Sequence, residues 1–564
     1  GSGSLTKTGQ GTLFLGRDDQ SNPSLNFDPV NTVSFMGDVN INEGTVSIIR
    51  TENLGDGNLN IDDGTLRLAK TGIDLDKSIA LGKQGGIIEL NNSGDAATIS
   101  GVISDQTSAG RLQLSNGTFT LEMATAHTGD TVLSEGDLTI NAEEALKANA
   151  SLNLNSSGVT FASDGTDTDN NQTFNTLSGD SPSSITVTDT DPTNSPSDTR
   201  RHLTINQKIG RTFAGGFTGN GHIKKTGDKT LGLTASHTGS GTFEIANGVV
   251  RDNGNLVWWE DDDGNAATPL VPRGFSKIEL TSSGVNAGIL DFNNTAPNYN
   301  NGAFTIRQVR ALDADTSTIV RTGGSGVAPF RVFIDQEFYG TDPNNPLIDD
   351  DGKLGEEFDG KIGIVEGPTT TDISKATNII KLGEGDLEVK DKWDFGGNVI
   401  IGNGSFKLDS SRTDSVYSAK SVNLYGGDGK INRVDQKLQF PANDRFGLGI
   451  LDLNGEDQEI KNLQALSVIA PGGDLVVPLT GESSEIRLGT QKLTIEQNLP
   501  GEFAGLISAG SLNDGTVVKE GDAKLILQPQ GSVSRFDKLI INHGTIEGSA
   551  SGFDVNTIEI NDPG

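Results

Sequence analysis

Short stretches in which apolar and polar residues alternate recur along the chain, separated by turns rich in glycine, asparagine and aspartate. In Gly57–Lys70, leucine and isoleucine alternate with polar residues on both sides of an Asp-Asp-Gly turn, and Val39–Ile49 shows the same pattern around Asn-Glu-Gly. Alternation with a period of two residues is typical of strands with one buried face. Glycine readily adopts the positive φ that tight corners need, and asparagine and aspartate tolerate it. The pattern therefore predicts many short strands joined by tight turns.

The same stretches form an internal repeat, whose clearest copy is Gly221–Val250. That copy has a Lys-Thr-Gly turn, a short strand, a Thr-Gly turn and a second strand that ends before an Asn-Gly turn. Partial copies lie at Leu5–Leu15, Gly110–Ile140, Ile379–Lys390, Gly396–Leu408, Val517–Leu527 and Lys538–Gly548. Strands that return every ~20 to 30 residues are typical of a solenoid, in which each turn is buried only against its neighbours. The side chains that we expect to face the core include Leu66, Leu68, Leu231, Leu233 and Ile245.

The repeats extend from near the first residue to near the last, so we predict one continuous all-β solenoid over residues 1–564. Polar segments interrupt the pattern near 163–200, 252–274, 296–305 and 339–371. In solenoids such insertions map to loops on one face, often the interacting face. Flexible interdomain linkers are the alternative interpretation. Asn141–Ala150 is the one segment that favours a short helix.

Composition and charge exclude several classes of function. The chain has no cysteine, which excludes thiol nucleophiles, disulfides and thiolate metal sites. Its net charge is -33, which argues against nucleic acid and anionic lipid as partners, because phosphate contacts need a basic face. No apolar run approaches the ~18 residues that a membrane-spanning helix needs. We therefore expect a protein that does not itself span a membrane and does not bind nucleic acid.

The order of the motifs resembles the autotransporter-associated β-strand repeat of Gram-negative type V secretion passengers. Lys225-Thr226-Gly227, the leucines at 231 and 233, Thr238-Gly239 and Asn247-Gly248 match it in order, and Leu5–Leu15 matches its first half. The segment Phe213–Gly221 resembles the lead-in of the family's repeat, and Gly501–Leu512 resembles it again. The resemblance implies a right-handed parallel β-helix that is exported to the outer surface of a Gram-negative cell. It resembles the passenger part alone.

No catalytic residues can be assigned from linear motifs. His127 and His237 both precede Thr-Gly within repeats, and this shared position favours a role in the turn over a catalytic one. The chain has no G-x-S-x-G elbow, no H-E-x-x-H helix and no phosphate-binding P-loop. Parallel β-helices that cleave polysaccharides use carboxylates and basic residues from successive turns, which no linear spacing reveals. We expect no cofactor, with calcium as the one possible ligand ion.

Calcium is suggested by two acidic loops, because this ion favours oxygen-rich, flexible sites. The candidate ligands are Asp261, Asp262, Asp263, Asp349, Asp350 and Asp351. Neither loop fits the EF-hand pattern, because Trp259 and Leu347 occupy the first ligand position. Solvated acidic loops without a metal are the alternative. Next to the first loop, Trp258 and Trp259 could anchor a sugar or a partner protein, or simply cover the solenoid.

Taken with the solenoid and the missing catalytic motifs, these features favour a non-catalytic, extracellular stalk or adhesin. Such a protein would act by cell–surface or cell–cell contact, with a cell-surface or matrix ligand or a second copy of itself as the partner. The first alternative is a self-assembling subunit of a surface filament or layer, joined by β-augmentation. The second alternative is a polysaccharide-active β-helix enzyme.

Overall fold

The computed structural model describes most of the first half of the chain and discontinuous parts of the second. The described residues are 3–16, 36–146, 150–161, 171–188, 202–235, 237, 241–252, 259–260, 273–274, 277–280, 282–283, 286–292, 303–306, 309–311, 318–322, 331–335, 356–358, 361–365, 378–382, 386–389, 398–417, 419–424, 448–465, 468–470, 473–475, 484–529, 533–548 and 552–561. The chain divides into two compact units, Gly1–Gly241 and Thr242–Gly564. They are called the first and the second unit below, and each is described by itself.

Parallel strands stacked as a β-solenoid of about 14 turns account for the fold, which confirms the predicted class. The strands of the first unit are Leu5–Lys7, Thr12–Leu15, Val39–Ile41, Gly44–Ile48, Leu59–Ile61, Gly64–Leu68, Ile73–Leu75, Ile79–Leu81, Gly86–Leu90, Ala96–Ile99, Ile103–Asp105, Leu112–Leu121, Thr131–Ile140, Leu152–Asn155, Gly158–Phe161, Gln172–Phe174, Leu177–Gly179, Ser184–Val187, His202–Asn206, Arg211–Phe213, Gly216–Thr218, His222–Thr226 and Leu231–Leu233.

The second unit repeats this architecture with short strands. They are Thr242–Ile245, Gly248–Asp252, Trp259–Glu260, Arg273–Gly274, Lys277–Leu280, Ser282–Ser283, Asn286–Phe292, Ala303–Ile306, Val309–Ala311, Thr318–Thr322, Arg331–Asp335, Glu356–Phe358, Lys361–Val365, Asn378–Leu382, Leu387–Val389, Asn398–Ile401, Gly404–Lys407, Ser421–Leu424, Gly449–Asp452, Gln458–Lys461, Leu463–Ala465, Val468–Ala470, Gly473–Leu475, Glu485–Arg487, Lys492–Glu496, Gly501–Phe503, Leu506–Ser508, Thr516–Glu520, Leu525–Leu527, Ser534–Ile541, Ile546–Gly548 and Phe553–Ile560.

Register between turns places apolar side chains in columns along the core. In the first unit one column contains Val46, Leu66, Ile88, Leu114 and Leu133, each paired with the next and each fully buried. Pairing of strands from successive turns explains why the core residues return at the repeat spacing. The five residues predicted to face the core, which were Leu66, Leu68, Leu231, Leu233 and Ile245, are all completely buried.

The Asp-Asp-Gly turn is a corner between two sheets and does not form a hairpin. Leu59–Ile61 pairs with the strand at Ile79–Leu81, whereas Gly64–Leu68 pairs with Gly86–Leu90. Asp63 adopts a φ of 67°, the left-handed conformation that this sharp corner requires. The Asp62 carboxylate accepts a hydrogen bond of 2.8 Å from the backbone N–H of Gln84 in the next turn. Aspartates at corners therefore help to hold successive turns together.

The helix predicted over Asn141–Ala150 is wrong for its described part, because Asn141–Leu146 forms a bend and a turn. Glu144 has a φ of 49°, which a right-handed helix does not allow. The Ala145 N–H donates to Gln172 Oε1 at 2.9 Å, and Thr125 Oγ1 donates to Ala145 O at 2.6 Å. These bonds to neighbouring turns override the local helix propensity. The one helix among the described residues is a single 3₁₀ turn, Thr51–Leu54.

Parts of the predicted insertions contain strands. Within 163–200, the strands Gln172–Phe174, Leu177–Gly179 and Ser184–Val187 pair in parallel with other turns, so a solenoid turn interrupts that segment. Near 252–274, Trp259–Glu260 pairs antiparallel with Arg273–Gly274. No helix among the described residues combines the length and the apolar character needed to cross a membrane.

Candidate functional site

The lysines of the repeated Lys-x-Gly turns are buried, although the turn reads as polar in the sequence. Lys225, Lys381 and Lys519 have no exposed surface, and Lys7 is 9% exposed. Each lies two residues after an apolar residue in its strand, Leu5 before Lys7 and Val517 before Lys519 among them. Because alternate residues of a strand share a face, this parity was a signal that the sequence-based interpretation missed.

Each lysine ammonium holds backbone carbonyls at a corner of the solenoid. Lys519 Nζ donates to Glu520 O at 2.8 Å and to Gly521 O in its own turn, and to His543 O at 3.0 Å in the next. Lys7 Nζ donates likewise to Thr8 O and Gly9 O and, in the next turn, to Glu43 O at 3.1 Å. We call this arrangement the lysine clamp. It supplies a hydrogen-bond donor to carbonyls at the corner, whose residues are half-buried or exposed.

The clamp explains why the repeat contains its two glycine elements in a fixed order. The carbonyl that a lysine contacts in the next turn belongs to Glu43, Asn403 or His543, and in each case a glycine follows. These glycines, Gly44, Gly404 and Gly544, have φ angles of 74°, 65° and 74°. The left-handed glycine turns the preceding carbonyl toward the lysine. The Lys-x-Gly element and the later glycine, which directly follows the residue whose carbonyl the lysine contacts, are thus two halves of one contact.

We expect Gly44→Ala to destabilise the first unit more than Gly9→Ala does. Both glycines have a φ of 74°, so alanine adds a backbone penalty of about 1–2 kcal/mol at either position. A Cβ at Gly44 would lie against Gly9 O and 2.6 Å from Lys7 Nζ, whereas a Cβ at Gly9 meets open space. Overpacking adds about 1–3 kcal/mol at Gly44 alone. Urea unfolding of both variants measures the difference, and equal losses of stability would contradict the close approach.

A second repeated feature pairs a buried glutamine with a lead-in strand. Gln207 and Gln497 have no exposed surface. Their Nε2 atoms donate to Ile209 O at 2.8 Å and to Leu499 O at 2.7 Å, and their Oε1 atoms accept from backbone N–H groups of a neighbouring turn. Both precede a Phe-Ala-Gly lead-in, so 202–233 and 492–527 are copies of one structural cassette. These glutamines are structural.

The histidines within repeats are buried and suit a structural role. His237 has no exposed surface, and its Nδ1 accepts a hydrogen bond of 3.2 Å from the Phe217 N–H. In the second unit Ser534 Oγ accepts from the Ile507 N–H at the corresponding position of the cassette. Burial lowers the pKa of His127 to about 4 and that of His237 to about 3, so both rings are neutral at pH 7. Neither ring can reach a substrate in solvent.

A cleft of about 710 Å³ lies beside the 3₁₀ turn of the first unit. Its charged lining residues are Arg50, Glu52, Asp56, Lys70, Asp74, Asp76 and Lys77. Asn53 fixes one wall, because its Oδ1 accepts hydrogen bonds from the Ile49 and Arg50 N–H groups. Asp74 is held by Ser100, whose Oγ donates to Asp74 Oδ1 at 2.6 Å. The arrangement offers hydrogen-bond donors and acceptors to a polar ligand.

In the second unit, residues 408–417 contain no strand and pack against the following turn; we call them the docked loop. Gln458 Nε2 donates to Asp409 O at 3.0 Å and to Arg412 O at 2.6 Å. Tyr417 OH donates to Glu496 Oε2 at 2.5 Å, and this bond raises the pKa of Tyr417 to about 12. The docked loop is therefore tied to its neighbouring turns at both ends. No linear spacing in the sequence indicates it.

The sequence-predicted site residues cannot be placed in a common site. Asp261, Asp262, Asp263, Asp349, Asp350, Asp351 and Trp258 lie outside the described residues. Trp259 is described only as part of the strand Trp259–Glu260. Calcium binding by the two acidic loops stays a prediction. Within the described parts of the chain, no cluster of three or more histidine, aspartate or glutamate side chains could hold a metal ion.

Comparison with known proteins adds no assignment. No protein-family model, no curated protein and no solved structure matches this chain.

Proposed function

We propose that the chain is a non-catalytic, surface-displayed stalk or adhesin of a Gram-negative bacterium, of the autotransporter passenger type. The observation that carries the proposal is the use of the repeat residues. Their lysines, glutamines and glycines hold one turn to the next, as Lys7 and Lys519 do through carbonyls of two turns. Because the repeated polar residues stabilise the stacking of one turn on the next, we infer that the solenoid serves as a scaffold that presents its surface to a partner.

The net charge of the chain supports the proposal that it acts outside the cell by making contact with a partner. A net charge of -33 keeps copies soluble and apart at low ionic strength. At 0.1 M salt this repulsion is largely screened beyond about 10 Å, so copies of the chain, or the chain and another acidic surface, would approach and make contact at physiological ionic strength. The partner would then be a cell-surface or matrix ligand, or a second copy of the chain.

Adhesion of beads coated with the purified chain tests this proposal. We expect retention several-fold above albumin-coated beads in at least one of three arms: cultured cells, matrix-coated surfaces, or beads that carry the same chain. Excess soluble chain should abolish that retention. Retention between like-coated beads alone would favour the filament-forming alternative. No retention above albumin in any arm would contradict the proposal.

The charged cleft gives a specific reason to test the polysaccharide-active alternative. It combines basic and acidic side chains from successive turns, Arg50 and Glu52 with Lys70 and Asp74. Incubation with a panel of acidic and neutral polysaccharides should release no product if the chain is non-catalytic. Product release that is lost in Glu52→Gln or Lys70→Ala would overturn the non-catalytic proposal and place the activity in this cleft.

A further inference from the structure

Two buried oxygen atoms under the docked loop have no hydrogen-bond donor. Asp409 is 2% exposed; its Oδ1 accepts from the Ser411 N–H at 2.8 Å and from Ser411 Oγ at 2.7 Å, but its Oδ2 accepts from nothing in the described structure. Gln458 is 1% exposed, and its Oε1 likewise has no donor. Buried polar atoms are nearly always paired, so two exceptions in one hydrogen-bonded group require an explanation.

The orientation of the Gln458 amide is fixed, so its unpaired atom is an oxygen. Its Nε2 donates to two backbone carbonyls, Asp409 O and Arg412 O. The flipped amide would direct Oε1 at both carbonyls, which are acceptors only. Gln458 Oε1 shares a carbon with the nitrogen that contacts Asp409. The donor-free oxygens therefore belong to two neighbouring buried residues, which are joined by the bond from Gln458 Nε2 to the backbone carbonyl of Asp409.

We propose that Asp409 Oδ2 and Gln458 Oε1 are ligands of a hard metal cation, with calcium the expected occupant. Both atoms are acceptors, and calcium takes carboxylate and amide oxygens in flexible geometries. A buried carboxylate without a cationic partner is costly, and a bound cation neutralises it. A water molecule would donate to both oxygens but would leave the charge uncompensated. Magnesium is less suited because it demands near-ideal octahedral geometry and gives up its water ligands reluctantly.

The variant Asp409→Asn separates this proposal from a purely structural role of the carboxylate. Asparagine retains the oxygen that accepts from Ser411 and puts an N–H donor in place of Oδ2. In chelator, we expect the variant to melt at the same temperature as the wild-type chain or above it, because the unpaired acceptor is gone. In millimolar calcium the order should invert, because only the wild-type chain gains a bound ion.

Calorimetric titration of the full chain with calcium, magnesium or sodium chloride completes the test. We expect Asp409→Asn to lose one saturable site, or to weaken it at least tenfold. The matched control is Glu456→Gln, which removes the same charge from an exposed position near Gln458 and should bind like the wild-type chain. The proposal is independent of the adhesive function and of the acidic loops. Saturable binding that Asp409→Asn leaves intact, or no saturable binding of any of the three cations, would overturn it.

Discussion

The Leu233→Asp variant should lack the folded first unit. Leu233 is fully buried in the strand Leu231–Leu233, where it pairs with Phe213 of the neighbouring turn. Removal of a buried leucine costs about 2–5 kcal/mol, and an unpaired carboxylate in its place adds several kcal/mol more. Because a folded domain is stable by about 5–15 kcal/mol, the sum takes most or all of that stability. Circular dichroism and limited proteolysis of the purified variant measure the loss.

Thr212→Asp is the control for the introduced charge. Thr212 is exposed in Arg211–Phe213, one residue before the phenylalanine that pairs with Leu233. Its carboxylate would stay in water, so we expect a change within about 0.5 kcal/mol. If both variants melt like the wild-type chain, Leu233 does not lie in a packed core.

The second large effect is a rise in the stability of the first unit between pH 7 and pH 10. Burial lowers the pKa of Lys225 to about 7, although the nearby Asp228 carboxylate raises it. In the unfolded chain a lysine has a pKa of about 10.4, so in this window unfolding takes up a proton. Stability therefore increases with pH by up to about 1.4 kcal/mol per unit, and this gain is lost as the pH falls to 7.

Urea unfolding of the wild-type chain and Lys225→Met at pH 7, 8 and 9 measures this slope. Methionine has no titrating group, so the difference in stability between the two proteins should widen with pH in favour of the wild-type chain. Lys224→Met is the matched control, since Lys224 lies on the opposite face of the same strand and is only partly buried. Parallel pH dependences of wild type and Lys225→Met would contradict the assigned pKa.

The solenoid could be predicted from the sequence because the residues that determine each strand and turn are close neighbours in the chain. The alternation of apolar and polar residues, as at Leu66 and Leu68, predicts a strand, and the glycines of the turns predict where each strand ends. The prediction of a helix over Asn141–Ala150 was wrong in its described part for the opposite reason, because hydrogen bonds with Thr125 and Gln172 of other turns decide the conformation there. Those partners are close only once the turns have stacked.

The candidate sites depend on contacts between distant residues, which the sequence does not reveal. The docked loop joins Asp409 to Gln458 and Tyr417 to Glu496, and no linear motif relates these positions. The lysine clamps were recognisable as motifs, but their burial depends on carbonyls supplied by another turn. Parity within the strand was the one available signal for them. The two acidic loops were predicted to bind calcium only because their carboxylates are close together in the sequence. No further ligand of the ion can be identified from the sequence.

Pairing between neighbouring turns has a consequence for how the chain reaches its folded state. In the first unit, Val46 pairs with Leu66 and Leu66 with Ile88, so each strand needs only the turn before it as a template. Contacts between the first and the last turns of the unit are not required for any of these pairs to form. A chain that emerges gradually from a narrow exit, from either end, can therefore add one turn at a time to an edge that is already in place.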